Sequence, residues 1–250
     1  MQVKAILKLN CWLKMLKRST KTELHTCEFC KRGFHEEINL INHNCEKKRR
    51  WFNRDEPTSR LAFMAWARFY ELNSRFVKQG TKKQSFREFM DSKYYAAFIR
   101  FAKQMIDLNA PEPAKFIDYV IKNNLPLDKW THDAVYANYV ADLVKHERPE
   151  AALARNIELM QQWSQQTGEE WFNFFRKVSP IQAAAWIQNG RISPWVLYNA
   201  DSAEELLVRC GPEQLQMIKS SAKIPQWKIR FNQNKESADW IRNTLRQAGL

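Results

Sequence analysis

The sequence predicts a mainly α-helical protein, in which a small module near the N-terminus precedes an irregular multi-helix globular domain. Glycine is rare, with 6 among 250 residues, and good helix formers are common. Hydrophobic residues make up 44% of the chain and aromatic residues 13%, which is enough apolar material for a sizeable core. Helix-start signals also recur at short intervals along the chain.

The residue composition and the helix-start signals divide the chain into four segments. Residues 1–23 form a basic N-terminal segment, and residues 24–45 form the small module. Residues 46–57 form a basic linker, and residues 58–250 form the α-helical domain. The boundary of this domain lies at Pro57, because proline followed by two hydroxyl residues favours a helix start.

Residues 3–15 are compatible with two structures. The odd positions are all apolar and the even positions are mostly polar, which is typical of a half-buried strand. The first 22 residues also contain six basic side chains and no acidic one, which favours an amphipathic helix at an anionic surface. Both structures stay open as predictions for this segment.

Several residue pairs predict where helices of the larger domain begin. Ser85 with Glu88, and Ser202 with Glu205, have the spacing of a capping box, in which each side chain bonds the backbone N–H of the other residue. Proline is favoured at the first helical position, which predicts further helix starts at Pro113, Pro149, Pro180 and Pro194. The segment Trp227 to Phe231 alternates apolar and basic side chains, which predicts a strand.

One short pattern occurs twice in the helical domain. Residues 121–126 and residues 187–192 share an isoleucine at the first position and an asparagine at the third. A tryptophan follows each segment a few residues later. Two imperfect matches do not establish a repeat architecture.

The strongest functional signal is a cluster of metal-binding residue types early in the chain. Two residues separate Cys27 from Cys30, and twelve separate Cys30 from His43. A Cys-x2-Cys turn supplies two thiolates, and a short helix can supply the remaining ligands of a tetrahedral zinc site. Phe34 and Leu40 lie between these residues at positions suited to a small apolar core.

These residues and spacings resemble the C2H2 and C2HC zinc-finger family over residues 24–45. The resemblance implies a ββα-like finger that holds one structural Zn²⁺, with the ligands Cys27, Cys30 and His43. It also implies that the matching phenylalanine and leucine form the finger's core. We interpret Cys45 as the fourth ligand, with His25 and His35 as the alternatives.

The fourth ligand departs from the family pattern. Only Asn44 separates His43 from Cys45, whereas the family usually has three to five residues there. Side chains two positions apart on a helix point about 200° apart, so both can face one ion only if the helix ends at His43. Asn44 suits such a break, because asparagine tolerates the left-handed conformation.

A formal net charge of +13 suits a nucleic-acid partner, and basic residues could equally meet an acidic protein or an anionic membrane surface. By the resemblance, the helix face that DNA-reading fingers use for base contacts falls at Glu36, Asn39 and Asn42. The basic run after the finger contains a tryptophan suited to stacking on a base. The predicted nucleic-acid contacts are Lys31, Arg32, Asn39, Asn42, Lys47, Lys48, Arg49, Arg50, Trp51 and Arg54. Alternatively, the run is a solvated linker whose Trp51 and Phe52 pack into the helical core.

The sequence therefore predicts a nucleic-acid-binding accessory or regulatory protein, with DNA favoured over RNA. An odd number of cysteines, 5, and no run of 18 apolar residues indicate an intracellular protein without a transmembrane segment. The first alternative is a protein–protein adaptor that docks a partner through the finger or the helical domain. An enzymatic function is not favoured, because no phosphate-binding glycine loop or nucleophile elbow occurs. The weakest alternative is a metal-dependent nuclease, with the candidates Asp128, His132, Asp133, His146 and Glu147.

Overall fold

The computed structural model describes residues 24–72 and 84–250. The two structures predicted for residues 3–15 concern a segment outside the described residues. Within the described part of the chain, no helix has both the length and the apolar character that crossing a membrane requires.

Fifteen α-helices account for most of the described residues, so the predicted mainly α class is confirmed. The first eight helices are α1 (Glu37–Ile41), α2 (Glu46–Phe52), α3 (Pro57–Leu72), α4 (Phe86–Asp91), α5 (Tyr95–Asp107), α6 (Pro113–Lys122), α7 (Asp133–His146) and α8 (Pro149–Thr167). The remaining helices are α9 (Phe174–Lys177), α10 (Pro180–Gln188), α11 (Pro194–Leu197), α12 (Ala203–Arg209), α13 (Pro212–Ala222), α14 (Ile224–Gln233) and α15 (Lys235–Gln247). Short 3-10 helices connect some of them at Asn53–Asp55, Leu127–Lys129 and Trp171–Asn173.

The small module has the predicted ββα arrangement. Strands β1 (His25–Thr26) and β2 (Gly33–Phe34) pair antiparallel, with His25 opposite Phe34. Helix α1 follows β2 and contacts both strands. These elements bring the cysteines of the turn between the strands close to the residues that follow α1.

An extensive apolar core runs through the helical body. Helix α3 packs against α5 and α6, and α10 packs against α13. Trp130 is fully buried, and its ring meets those of Phe98 and Phe101 edge-on at 5.7 and 5.5 Å between centroids. Such aromatic pairs stabilise a core beyond the area that they bury. The aromatic residues at helical spacing are therefore mainly core residues.

Most of the predicted helix starts are confirmed. Ser85 Oγ accepts the backbone N–H of Glu88, and the Glu88 carboxylate accepts the backbone N–H of Ser85. The predicted prolines occupy the first position of α6, α8, α10 and α11. The capping box predicted at Ser202 is wrong, because its side chain makes no cap hydrogen bond and its backbone is already helical.

The strand predicted at Trp227 to Phe231 is also wrong, because these residues lie within α14. A helix places Trp227 and Phe231 on one face, where both rings contact the buried Trp195. Arg230 lies on the same side and donates to the carbonyl oxygens of Val144 and Glu147 at 2.7 and 2.8 Å. A five-residue alternation is too short to compete with these tertiary contacts.

The pattern that occurs twice corresponds to one kind of helix ending. Asn124 and Gly190, each just after the end of a helix, both adopt positive φ, at 51° and 81°. The next residue donates its backbone N–H to a carbonyl five residues earlier in both cases, from Leu125 to Val120 and from Arg191 to Trp186. This geometry satisfies carbonyls that a helix end leaves unpaired.

We expect Gly190→Ala to destabilise the body more than Gly168→Ala. Both glycines have positive φ, at 81° and 74°, so alanine is strained at either position by roughly 1–2 kcal/mol. A Cβ at position 190 would also lie 3.0 Å from Val140 Cγ1, whereas nothing lies within 4 Å at position 168. Chemical denaturation should show an extra loss of roughly 1–3 kcal/mol for Gly190→Ala. Equal losses in the two variants would contradict this packing argument.

Candidate metal centre

Four metal-binding side chains converge at the end of the ββα module. The ligand atoms of Cys27, Cys30, His43 and Cys45 all lie within 4.8 Å of one another. Cys30 Sγ lies 3.2 Å from His43 Nε2. Among the described residues this is the one such group of three or more, and the alternatives considered for the fourth position are not members of it.

A tight turn between the two strands positions the first two thiols. The backbone N–H of Cys27 donates to the Arg32 carbonyl, and the N–H of Lys31 donates back to the Cys27 carbonyl, both at 2.9 Å. Lys31 adopts φ 64°, which lets the chain reverse direction within the turn. Phe34 packs against the His43 ring with a centroid separation of 4.8 Å, so the predicted core phenylalanine also orients this histidine.

The remaining two side chains come from the connection between two helices. Helix α1 ends at Ile41, two residues earlier than expected, so His43 already lies outside it. Cys45 has an extended backbone and is the N-cap of α2, where its Sγ accepts the backbone N–H of Lys48 at 3.3 Å. Asn44 does not adopt the predicted left-handed conformation. Two helix ends, rather than a break at Asn44, bring His43 and Cys45 to the same point.

The pKa values of the two thiols of the tight turn are shifted in opposite directions. Burial opposes ionisation of Cys27, but the backbone N–H groups of Cys30 and Phe29 hold the pKa of Cys27 below its ordinary value. At Cys30, the backbone N–H of Arg32 favours the thiolate, yet burial and the neighbouring thiols of Cys27 and Cys45 raise its pKa. A bound cation would remove this competition, because metal coordination deprotonates each thiol.

The donor set is compatible with zinc. Zinc–sulfur distances near 2.3 Å and zinc–nitrogen distances near 2.0 Å place tetrahedral donors roughly 3.5–3.8 Å apart. The observed separations of up to 4.8 Å need only small side-chain movements to reach that geometry. Three sulfurs and one nitrogen fill all four positions, which is typical of structural sites and leaves no place for a catalytic water.

Comparisons of the chain with protein-family models, with curated proteins and with solved structures find no match. The class of the protein therefore depends on the fold and the cluster alone. Together they define a mainly α-helical chain with a Cys3His cluster, in a ββα module, that is close enough to bind a metal ion.

The ββα module and the helical body share a second, smaller apolar core. Phe29, which lies between the two turn cysteines, is buried together with Met90 of α4, and Met90 is only 1% exposed. Trp51 is half-buried, and its ring lies 6.2 Å from Phe29 and 6.3 Å from Phe86 between centroids. Tyr95 at the start of α5 also packs against this cluster. The module is therefore held against the body by α2 and α4.

The basic run has a structural role that the sequence did not predict. Residues 46–52 form helix α2, and several cations in it contact the body or the module. Arg50 donates to the Met90 carbonyl at 2.6 Å, and its guanidinium lies 4.0 Å from the Tyr95 ring centroid. Lys47 forms an ion pair of 2.6 Å with Asp91. Arg50 and Lys47 are therefore less available to phosphates than predicted.

Other predicted contact residues differ in their availability. Lys48 donates to the His43 carbonyl at 3.1 Å, and Asn39 donates to Glu36 at 3.0 Å. Lys31, Arg32, Asn42 and Arg49 are exposed. Among the described residues, none forms an ion pair with Arg49. Fewer residues therefore have polar groups available for a nucleic-acid ligand than the sequence predicted.

The junction exposes one aromatic ring of the predicted basic run, Phe52, and one cation that the sequence did not predict, Arg87. Phe52 is 63% exposed, so the alternative in which the run's aromatic residues pack inward holds for Trp51 and fails for Phe52. Arg87 of α4 lies over the rings of Phe29 and Trp51 at 5.9 and 5.6 Å. Arg54 lies over the Trp51 ring at 5.0 Å. We name Phe29, Trp51, Phe52, Arg54 and Arg87 the arginine–aromatic surface.

Glu147, a candidate for a nuclease site, has a structural environment. Its carboxylate accepts a hydrogen bond from Ser193 Oγ and forms an ion pair with Arg155 at 2.5 Å. Its side chain is 2% exposed. His146 is exposed, and its Nδ1 lies 3.2 Å from Asp142 Oδ1. Among the described residues, the nuclease candidates Asp128, His132, Asp133, His146 and Glu147 do not form a group of three or more that could hold a metal ion, so the geometry does not favour this alternative.

Proposed function

We propose that the protein binds nucleic acid, with DNA favoured over RNA, and that zinc holds the binding surface in place. The observation that carries this proposal is the arginine–aromatic surface. It presents the exposed ring of Phe52, which lies 6.3 Å from the Phe29 ring between centroids, and the guanidinium groups of Arg54 and Arg87, which lie over the Trp51 ring. Both arginines form ion pairs at the exposed surface, with Asp55 at 3.4 Å and Glu28 at 3.9 Å, and such exposed pairs are weak. Aromatic rings beside cations suit single-stranded or unpaired bases, because a ring stacks on a base while the cations attract phosphates.

Zinc has a structural role in this proposal. The ββα module has about twenty residues, which is too few for a stable core of its own, and four protein ligands close the metal site. The metal fixes Phe29 against α2 and thereby fixes one edge of the arginine–aromatic surface. Zinc-binding cysteines must be reduced, which agrees with the predicted intracellular location.

The distribution of charge also supports a polyanionic partner. Residues 1–23 contain six Lys or Arg side chains and one acidic residue, and residues 73–83 contain four and none. Within α2, Arg49 and Phe52 are three positions apart and so are neighbours on one helix face. Cations and an exposed ring therefore occur together on α2, and further cations are concentrated in these two segments.

We expect Phe52→Ala to weaken binding to a single-stranded oligonucleotide by roughly 1–3 kcal/mol, because one base–aromatic stack is lost. Trp240→Ala is the matched control, since Trp240 is an exposed aromatic residue on α15 and lies outside the arginine–aromatic surface. Fluorescence anisotropy with a labelled oligonucleotide measures both affinities. Equal affinities for the two variants would contradict the proposed surface.

A salt series on duplex DNA, single-stranded DNA and RNA tests the partner itself. Affinity should fall linearly with salt on a double logarithmic plot, with a slope of about −0.9 per phosphate contact on duplex and about −0.7 on single strands. Arg49→Gln should reduce the slope by about one contact, because Arg49 is free to meet a phosphate. Absence of binding to all three probes at about 50 mM salt would reject the proposal.

A protein partner is the second candidate, and one observation favours it. Ile38 and Ile41 on α1 are 56% and 61% exposed, although helices of small fingers usually present polar residues outward. This face is separate from the arginine–aromatic surface. The adaptor function predicts that Ile38→Asp abolishes capture of a protein partner and leaves oligonucleotide affinity unchanged.

A further inference from the structure

A basic groove lies between α7 and α14, on the helical body. Its volume is about 680 Å³, and its walls include Val144 and Lys145 of α7 together with Trp227 and Ile229 of α14. Lys223, which joins α13 to α14, stands at one end. We name these residues, with Arg230, the basic groove.

The lining of the basic groove combines apolar and positively charged side chains with four uncharged polar ones, Ser221, Gln226, Gln233 and Asn234. Ile229 is 59% exposed and Ala141 is also exposed, whereas Val144 is 8% exposed. Lys145, Lys223 and Arg230 contribute three cations, and no carboxylate lines the groove among the described residues. Asp142 is the nearest acidic neighbour in sequence on α7, and its Oδ1 lies 3.2 Å from His146 Nδ1.

The two lysines of the basic groove differ from many other cations of the body. Arg68, Arg176 and Arg246 pair with carboxylates on distant segments. Within the described chain, Lys145 and Lys223 form no ion pair. Lys223 also has φ 30° and ψ 67°, a strained backbone for a residue other than glycine. The groove thus presents two lysines without an ion pair, among the described residues, beside the exposed side chain of Ile229.

The aromatic residue of the basic groove does not offer a stacking face. Arg230 lies over the Trp227 ring at 4.7 Å, and the rings of Trp195 and Phe231 contact it at 5.5 and 5.3 Å. A base would therefore find no free ring, whereas an aliphatic side chain can contact Ile229 and Ala141. Charge complementarity and apolar contact together favour a peptide over a nucleic-acid strand.

We infer that the basic groove binds an acidic peptide segment of a partner protein that also carries aliphatic side chains. The partner's carboxylates pair with Lys145 and Lys223, and its aliphatic groups cover Ile229. This partner is additional to the proposed nucleic-acid partner and uses a different surface. Binding is therefore independent of the arginine–aromatic surface.

Fluorescence anisotropy of the full-length chain with a labelled synthetic peptide of repeated Asp-Asp-Leu tests this inference. Lys145→Gln combined with Lys223→Asn should weaken binding about three- to tenfold, since each pair is partly exposed to solvent. Asparagine tolerates the left-handed backbone at position 223, so the double variant should fold. Ile229→Ser should weaken binding about tenfold, because the aliphatic side chains of the peptide would lose the apolar surface that they cover in the complex.

Matched controls separate the basic groove from general surface effects. Lys122→Gln removes an exposed lysine that lies elsewhere on the body and forms no ion pair among the described residues. Ile181→Ser removes an isoleucine of α10 that is 70% exposed. Both controls, and Phe52→Ala, should bind the peptide like the unaltered chain. Three results would each overturn the inference. The first is no binding of the Asp-Asp-Leu peptide, and the second is equal binding of an Asp-Asp-Ser peptide. The third is displacement of the peptide by an oligonucleotide whose own binding is weakened by the groove substitutions.

Discussion

Replacing Cys27 by Ser is expected to release the metal and unfold the ββα module, while most of the helical body stays folded. A structural zinc ion contributes roughly 10–16 kcal/mol to finger peptides near neutral pH, and this module has little other core. Because Phe29 and Met90 share one apolar cluster, α2 and α4 should also lose protection. Zinc analysis, circular dichroism and hydrogen exchange together measure these effects.

Cys210→Ser is the matched control for this experiment. Cys210 is a buried cysteine of the helical body and lies outside the cluster, so this variant should keep one zinc ion per chain. Cys30→Ser should behave like Cys27→Ser, because both remove a thiolate from the same turn. Stoichiometric zinc in both turn variants would rule out the proposed ligands.

Arg155→Met is expected to cost roughly 3–5 kcal/mol of folding stability, because it leaves a buried carboxylate without its cation. Glu147 lies between α7, α8 and α11, where Arg155 pairs with it and Ser193 donates to it. In a chain of this length the loss corresponds to a fall in Tm of roughly 6–20 °C. Chemical and thermal unfolding measure the two quantities.

Adding Glu147→Met to the Arg155 variant should recover part of the lost stability. Two apolar side chains remove the unpaired charge, and replacement of a buried ion pair by apolar residues is often close to neutral. Arg176→Leu is the control, because its pair with Glu205 is exposed and should contribute less than about 1 kcal/mol. A double variant less stable than Arg155→Met alone would show that the ion pair is not the cause.

Local patterns predicted the parts of this protein that neighbouring residues determine. The Cys-x2-Cys turn and the spacing to His43 predicted the metal cluster, because a short turn and a short helix bring these positions together without help from the body. The capping box at Ser85 and the prolines at helix starts were predicted for the same reason. Each depends on hydrogen bonds or covalent restrictions within about four residues.

Features that depend on distant residues were not predicted. Trp227 and Phe231 are helical because Trp195 packs against one face of α14, and five alternating residues carry no information about that partner. Contacts to Met90 and Tyr95 determine where Arg50 points, although they lie 40 or more residues away. Arg87 was missed as a member of the arginine–aromatic surface for the same reason, because it reaches the predicted basic run from α4.

Cys45 is both a member of the Cys3His cluster and the N-cap of α2, so a metal ion bound at this cluster would set the rotational phase of the helix. One residue inserted between Cys45 and Arg50 would leave all four ligands in place but turn Arg50 by about 100° about the helix axis. Its hydrogen bond to Met90 would then be lost, while Phe52 would turn toward a different direction. The length of the segment from Cys45 to Phe52 is therefore as constrained as the ligands themselves, and natural variation in this protein should include substitutions there but no insertions.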